Sequence, residues 1–109
     1  MRLPTALTLA ALLSVPVAHA APPAAKPSLL DQAAVFKAAG FVKKGKTWRS
    51  ECGLEDPSLS YGPGTIDVYR DINGDSRPDA LVTEGGTYCY GNTGTGYWLL
   101  SLNLNGNFF

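Results

Sequence analysis

Histidine is almost missing from this sequence of 109 residues, and that scarcity limits the chemistry of the protein. The single histidine, His19, lies in an N-terminal segment that resembles a cleavable leader. A chain that loses His19 has no imidazole, which excludes Ser-His and Cys-His nucleophilic catalysis, histidine-ligated zinc and acid–base work by histidine. Two carboxylates could still hydrolyse a glycoside, but a domain of this size has little room for a sugar cleft. We therefore expect a protein that is not an enzyme.

Long apolar runs are also missing. The one extended apolar stretch, Ala6 to Val17, is too short for a permanent transmembrane helix. Arg2 precedes this stretch and Ala18-His19-Ala20 follows it, which is the order found in a secretory signal peptide. The sequence thus predicts a signal peptide at residues 1–20, a flexible Pro/Ala-rich leader at 21–27 and one small domain at 28–109. We expect a protein that does not span the membrane and that resides in the periplasm or outside the cell.

Cysteine occurs only twice, at Cys52 and Cys89, and both lie in the part expected to be exported. In an oxidising compartment two such cysteines most simply form one disulfide. This bond would close a loop of 37 residues and stabilise the fold by roughly 3–4 kcal/mol. The alternative is two unpaired buried thiols. A zinc site is disfavoured, because two thiolates alone are too few ligands for zinc.

Charged side chains are absent from residues 85–109 and are segregated by sign elsewhere. Residues 26–49 carry a net charge of +5, whereas residues 51–84 carry a net charge of −6. The basic segment either is a solvated surface that pairs with the acidic half or contacts an acidic partner or an anionic membrane surface. Because the whole chain has no basic excess, we do not expect it to bind nucleic acid.

The order of sequence patterns predicts an α+β fold. Ser28 is a good N-cap and Gly40 a natural stop, so we expect a helix from about residue 29 to 39. The stretch FVKKGKTWRSEC then predicts a hairpin, and GLEDPSLSYGPG predicts a loop. Four β-like runs follow: TIDVYR, ALVTE, TYCY and YWLLSLNL. We expect one N-terminal helix followed by a mostly antiparallel, meandering sheet of about five or six strands, with one disulfide.

The C-terminal residues contain a strong turn signal with little chain after it. Asn105-Gly106 is typical of a tight hairpin, but only three residues follow. Either the chain is C-terminally truncated relative to its relatives, or its last strand pairs with a partner. We favour truncation.

The segment DINGDSRPD, residues 71–79, has the spacing of a metal-binding loop. Side-chain oxygens recur at its first, third, fifth and ninth positions, which are Asp71, Asn73, Asp75 and Asp79. Calcium binds six to eight oxygen ligands, and a divalent cation removes the repulsion among three close carboxylates. The alternative is an Asx-rich turn that needs no metal, although a plain turn does not require Asp79.

The pattern D-x-N-G-D-x-x-P-D between two β-runs resembles the calcium hairpin of integrin-type FG-GAP and VCBS repeats. The resemblance is local and covers only residues 67–82. It implies one structural Ca²⁺ ion, held by the side chains of Asp71, Asn73, Asp75 and Asp79 and the carbonyl of Arg77. The chain departs from the pattern at the sixth position, where Ser76 replaces the usual glycine. If this residue has a positive φ, it costs about 1 kcal/mol relative to glycine.

Tyr88, Tyr90 and Tyr97 form the predicted binding surface. Tyr88 and Tyr90 flank Cys89 in a predicted strand, so an inward-pointing disulfide would turn both rings outward. Exposed tyrosines in a charge-free region suit contact with a glycan or a protein, although they could instead cover a second hydrophobic face. We predict a calcium-stabilised binding or interaction module of the bacterial envelope, with a protein or glycan partner. The alternatives are a periplasmic inhibitor or immunity-type protein against a peptidoglycan hydrolase, and a fragment of a larger protein.

Overall fold

The structure is a computed structural model, and it describes residues 26–109. The predicted signal peptide at 1–20, its cleavage site and residues 21–25 of the predicted leader lie outside the described residues. Within residues 26–109, no helix has the length and apolar character needed to cross a lipid bilayer.

The described chain contains three helices and five strands in two antiparallel sheets. In chain order the elements are α1 (Leu29–Ala38), β1 (Val42–Lys44), β2 (Thr47–Arg49), α2 (Glu51–Glu55), β3 (Gly62–Arg70), β4 (Asp79–Gly85), α3 (Thr87–Tyr90), a 3₁₀ turn (Gly91–Thr93) and β5 (Thr95–Ser101). β1 and β2 form a hairpin, and the larger sheet has the strand order β3-β4-β5. The predicted combination of helix, antiparallel sheet and one disulfide is confirmed.

The helix α1 begins and ends at local signals in the sequence. The Ser28 hydroxyl accepts a hydrogen bond from the Asp31 N–H at 3.1 Å, which satisfies one of the free amides of the first turn. Gly40 follows the helix with a φ of +87°, a conformation that glycine adopts without strain. The helix therefore presents Val35 and Phe36, its two buried residues, to the larger sheet.

The hydrophobic core lies between α1 and the inner face of the β3-β4-β5 sheet. It consists of Val35, Phe36, Phe41, Ala80, Val82 and Leu100. From Ala80 onward the residues of β4 alternate between buried and half-buried, and in the paired strand β5 the outer-face residues Tyr97 and Leu99 are exposed. The domain thus has one covered sheet face and one open sheet face.

Three segments differ from the structure predicted for them. The predicted loop GLEDPSLSYGPG is shorter than expected, because its first three residues belong to α2 and its last three to β3. Residues TYCY were predicted to be a strand but form the helical turn α3, and the strand expected to reach Cys52 ends at Arg49. The following residues form α2, because the Ser50 side chain caps that helix by accepting the Gly53 N–H at 3.0 Å. A run of only four residues does not carry enough periodicity to separate a strand from a helical turn.

A β-bulge changes the side-chain alternation in β3. The register shifts between Ile66, which pairs with Val82, and Val68, which pairs with Leu81. The extra residue turns Tyr69 towards the core side together with Ile66. A regular strand over TIDVYR would place Ile66 and Val68 on one face and Tyr69 on the other, and the bulge breaks that alternation.

The residues after β5 turn back along it. The Asn103 side-chain oxygen accepts hydrogen bonds from the N–H groups of Asn105 at 2.9 Å and Asn107 at 3.0 Å. Ser101 and Phe109 then exchange backbone hydrogen bonds of 3.0 and 2.9 Å. The Asn105-Gly106 signal thus corresponds to a real turn, whose short return segment pairs with β5.

Candidate metal centre

The loop that carries the predicted metal ligands joins β3 to β4. Asp71 directly follows the last residue of β3, and Asp79 is the first residue of β4, paired with Arg70 across the sheet. The two ends of the loop are therefore fixed by the strand pairing. This arrangement brings the first and ninth positions of the loop close together.

The side chain of Asp71 organises the middle of the loop. Its two oxygens accept hydrogen bonds of 2.7 Å from the N–H groups of Gly74 and Ser76. These backbone donors, with Ser76 the strongest, lower the pKa of Asp71 below its ordinary value. Asp71 is thus an anion that is available over the whole physiological pH range.

Asp79 is the buried member of the loop, with only 1% of its surface exposed. Its Oδ2 accepts hydrogen bonds from the N–H groups of Ile72 at 2.7 Å and Asn73 at 3.1 Å. Its Oδ1 is buried and has no hydrogen-bond donor within the described residues. A buried carboxylate oxygen without a partner is costly, and a bound cation would remove that cost.

The carboxylates of Asp71, Asp75 and Asp79 converge. One oxygen of each lies within 4.8 Å of the others, so this group could hold a metal ion. The spacing fits calcium, because two oxygens bound at 2.3–2.6 Å to one ion lie at most about 5 Å apart. The structure therefore brings together the three acidic residues that the sequence spacing singled out.

The two other predicted ligands have different surroundings. The side-chain oxygen of Asn73 accepts the Asp75 N–H at 3.1 Å, which leaves one lone pair for another contact. The guanidinium group of Arg77 pairs with Asp75 Oδ2 at 3.0 Å and donates to the Leu102 carbonyl at 2.9 Å. Arg77 thus offsets part of the negative charge and holds the loop against the C-terminal residues. Coordination by its carbonyl stays a prediction.

Replacing Ser76 by glycine is expected to stabilise the loop. Ser76 has a φ of 68° and is the only residue other than glycine with a positive φ among the described residues. Glycine reaches this conformation without a steric penalty, so the Ser76→Gly variant should unfold with a free energy about 0.5–1 kcal/mol higher. Urea unfolding of the two proteins measures this difference. A Ser76→Ala variant is the control and should show no gain, and a destabilised glycine variant would contradict the expectation.

A second acidic feature, not predicted as a site, lies at the other end of β4. Glu84 is buried, with 1% of its surface exposed, and it accepts the Ser50 N–H at 2.9 Å. The hydroxyl groups of Ser50, Tyr61 and Tyr90 also donate to its carboxylate. Burial alone would raise the pKa of Glu84, but these hydrogen bonds outweigh it and hold the pKa below its ordinary value.

The two tyrosines around Glu84 act as permanent donors. Burial and the hydrogen bond to Glu84 raise the pKa of the Tyr61 hydroxyl well above its ordinary value and that of Tyr90 to about 12. Both hydroxyls thus stay protonated at physiological pH. Because Glu84 is enclosed and its oxygens are satisfied, the cluster stabilises the fold and offers no group to a substrate. The sequence signal was a charged residue at an inward position of β4, in line with Ala80 and Val82.

The predicted binding surface of three tyrosines is divided by the fold. Tyr88 and Tyr97 are exposed, at 58% and 67%, but Tyr90 is half-buried and its hydroxyl is bonded to Glu84. The ring of Tyr90 packs edge-on against Trp98 at 6.3 Å between centroids. The prediction that Tyr88 and Tyr90 point outward from one strand is wrong, because they belong to the helical turn α3.

The disulfide between Cys52 and Cys89 is present and joins α2 to α3, with 6.0 Å between the Cα atoms.

Comparison with known proteins gives no match: no family model fits the chain, and no curated protein or solved structure is significantly similar to it.

Proposed function

We propose that the protein is an exported, non-enzymatic interaction module whose β3–β4 loop binds one structural calcium ion. The observation that supports this most directly is the carboxylate of Asp79: its buried Oδ1 lacks a hydrogen-bond donor among residues 26–109, and the group converges with the carboxylates of Asp71 and Asp75. Proteins rarely leave a buried polar atom without a hydrogen-bond partner. A cation in the loop would give this oxygen its partner.

Calcium suits the loop better than the other common ions. All the candidate ligands are oxygens, which disfavours zinc, since zinc sites normally use nitrogen or sulfur. Magnesium requires a near-ideal octahedron and keeps several water molecules, whereas calcium accepts an irregular shell of protein oxygens. Asp71, Asp75, Asp79, the Asn73 side chain and the Arg77 carbonyl would nearly fill such a shell. The ion would therefore stabilise the hairpin and leave little room for a substrate.

An exported location agrees with this proposal. The disulfide is typical of an oxidising compartment, and sites in extracellular modules bind calcium with dissociation constants of about 10⁻⁴–10⁻³ M. Affinity in that range is sufficient where calcium is abundant. The local resemblance to the loops of FG-GAP and VCBS repeats supports the same ion.

Calorimetric titration of the protein with CaCl₂ tests the proposal. We expect one site with a dissociation constant between about 10⁻⁵ and 10⁻³ M and a melting temperature that rises with calcium and falls with EDTA. Saturation at 100 times the dissociation constant should stabilise the fold by about 2.7 kcal/mol. The Asp75→Asn variant should bind at least about 10-fold more weakly, because it loses a charged ligand.

The Asp67→Asn variant is the matched control. Asp67 is an exposed residue of β3 outside the loop and hydrogen-bonds to Thr65 and Thr83. Its replacement removes the same charge and should leave calcium binding unchanged. Absence of heat together with an unchanged melting temperature at millimolar calcium would refute the proposal.

A further inference from the structure

A concave groove of about 580 Å³ lies between α1, the β1–β2 hairpin and the start of β3. Its volume is within the range of known ligand-binding sites. None of the residues that line it belongs to the loop 71–79, and neither Tyr88 nor Tyr97 lines it. The groove is therefore separate from both sites predicted from the sequence.

The floor of the groove is apolar and aromatic. The rings of Phe36 and Trp48 stack with 5.2 Å between centroids and an interplanar angle of 12°. Leu29 at the start of α1, with 83% of its surface exposed, extends the apolar lining, as do Pro63 and Ile66 on β3. Leu29 therefore presents an apolar side chain in the groove that the other described residues do not cover.

The charged side chains that line the groove are all lysines. Lys26, Lys43 and Lys46 contribute to the lining, and no carboxylate does. The only ion pair within residues 26–109 joins Arg77 to Asp75, so none of these three lysines has an acidic partner in that part of the chain. The Lys43 ammonium group lies 5.9 Å from the centre of the Trp48 ring, at the outer limit of a cation–π contact.

The uncharged side chains of Gln32 and Thr47 in the groove already make hydrogen bonds. The Gln32 amide donates to the Pro27 carbonyl at 3.1 Å, and the Thr47 hydroxyl donates to the Lys44 carbonyl at 3.0 Å. The hydroxyls of a neutral glycan need acceptors as well as donors, whereas the lysine ammonium groups of the groove only donate. A bilayer would need a flat or convex surface. An apolar floor bordered by three ammonium groups instead matches an apolar side chain flanked by carboxylates.

We propose that this groove binds a short acidic segment of a partner protein. An apolar side chain of that segment packs against Leu29 and Trp48, and its carboxylates lie against Lys43 and Lys46. Peptide binding in this groove does not depend on calcium binding by the β3–β4 loop.

Fluorescence anisotropy with labelled eight-residue peptides tests the groove. The first probe has one phenylalanine between glutamates and aspartates. In the second, serine replaces the phenylalanine, and in the third, lysines replace the acids. We expect the first probe to bind with a dissociation constant on the order of 10–100 µM at low salt, and the other two at least about 10-fold more weakly. Added salt should weaken binding of the first probe.

Matched variants locate the binding site on the protein. The double variant Lys43→Glu with Lys46→Glu should lose at least about 10-fold in affinity, because two attractive contacts become repulsive. Lys37→Glu with Lys44→Glu changes the net charge equally at residues that do not line the groove and should lose less than about 3-fold. Leu29→Ser should weaken binding about 3-fold, whereas Leu30→Ser, also exposed but outside the lining, should not.

Several outcomes would overturn the proposal: binding to none of the peptides, equal binding of the probe without phenylalanine, or equal losses in the two lysine double variants. If the protein binds none of the peptides but sediments with phosphatidylglycerol vesicles, the groove contacts a membrane and the proposal is wrong. Each titration is run in EDTA, in calcium and with the Asp75→Asn variant. Peptide binding should be the same in all three, so the outcome for the groove is distinct from that for the metal site.

Discussion

Replacing Glu84 by alanine is expected to lower the free energy of unfolding by about 3–5 kcal/mol. The change removes the common acceptor of the Ser50 N–H and of the hydroxyls of Ser50, Tyr61 and Tyr90. Each buried donor left without an acceptor costs about 1–3 kcal/mol, reduced where a hydroxyl rotates or water enters. Small domains have a total stability of only about 5–15 kcal/mol, so the variant should be close to unfolding. Urea unfolding monitored by circular dichroism measures the loss.

Glu55→Ala is the matched control for this prediction. Glu55 is an exposed glutamate at the end of α2, and its removal should change the stability by no more than about 0.5 kcal/mol. The isosteric Glu84→Gln variant keeps the side-chain volume but turns an amide towards donors, so its loss should be intermediate. Equal stabilities for Glu84→Ala and Glu55→Ala would show that the buried hydrogen bonds are not needed.

The pH dependence of stability distinguishes the charge of Glu84 from its volume. The pKa of Glu84 is lower in the folded protein than its ordinary value of 4.5. The stabilisation is therefore fully present above pH 4.5 and is lost as the pH falls through the lower, folded-state pKa. Asp71 contributes in the same direction. The wild-type protein should thus lose more stability between pH 7 and pH 2 than the Glu84→Gln variant, which lacks the Glu84 contribution.

The parts of the fold that the sequence predicted depend on local interactions. α1 follows from the cap at Ser28 and the stop at Gly40, because both act within one turn of the helix. The convergence of Asp71, Asp75 and Asp79 follows from their spacing in a loop between two strands. Even the backbone conformation of Ser76 was suggested by its position in the pattern. The residues that form each of these local contacts are close in sequence: Asp31 is three positions after Ser28, and Asp79 is eight positions after Asp71.

The parts that the sequence did not predict depend on contacts between distant residues. α2 and α3 are five and four residues long, too short to be stable alone. Their positions depend on the disulfide and on Glu84, which is 34 residues from Ser50. The bulge in β3 likewise depends on pairing with β4 and is invisible in the alternation of TIDVYR. The groove at Trp48 could not be predicted from the sequence, because α1, the hairpin and β3 meet only in the folded protein.

The two acidic features of β4 should act independently of each other. Asp79 and Glu84 occupy opposite ends of this seven-residue strand, which places them on the order of 17 Å apart. Asp79 accepts hydrogen bonds from the backbone of the loop 71–79, whereas Glu84 accepts hydrogen bonds from α2, α3 and the residues before β3. Changes at the disulfide should therefore affect the Glu84 end and leave calcium binding at the other end intact.

Removing the disulfide by the double substitution Cys52→Ala and Cys89→Ala is expected to cost about 3–4 kcal/mol. The bond closes a loop of 37 residues, and it also joins the two short helices that hold Ser50 and Tyr90 on Glu84. Without it these donors are less well ordered, so Glu84 contributes less to the stability.

Adding Glu84→Gln to the cysteine-free variant should thus cost less stability than the same substitution costs in the wild type, with a coupling energy of about 0.5–3 kcal/mol. A cycle of urea unfolding experiments measures this coupling, and calorimetry should find calcium affinity unchanged in the cysteine-free variant. Strict additivity would show that the disulfide acts only on the unfolded chain and does not position the donors of Glu84.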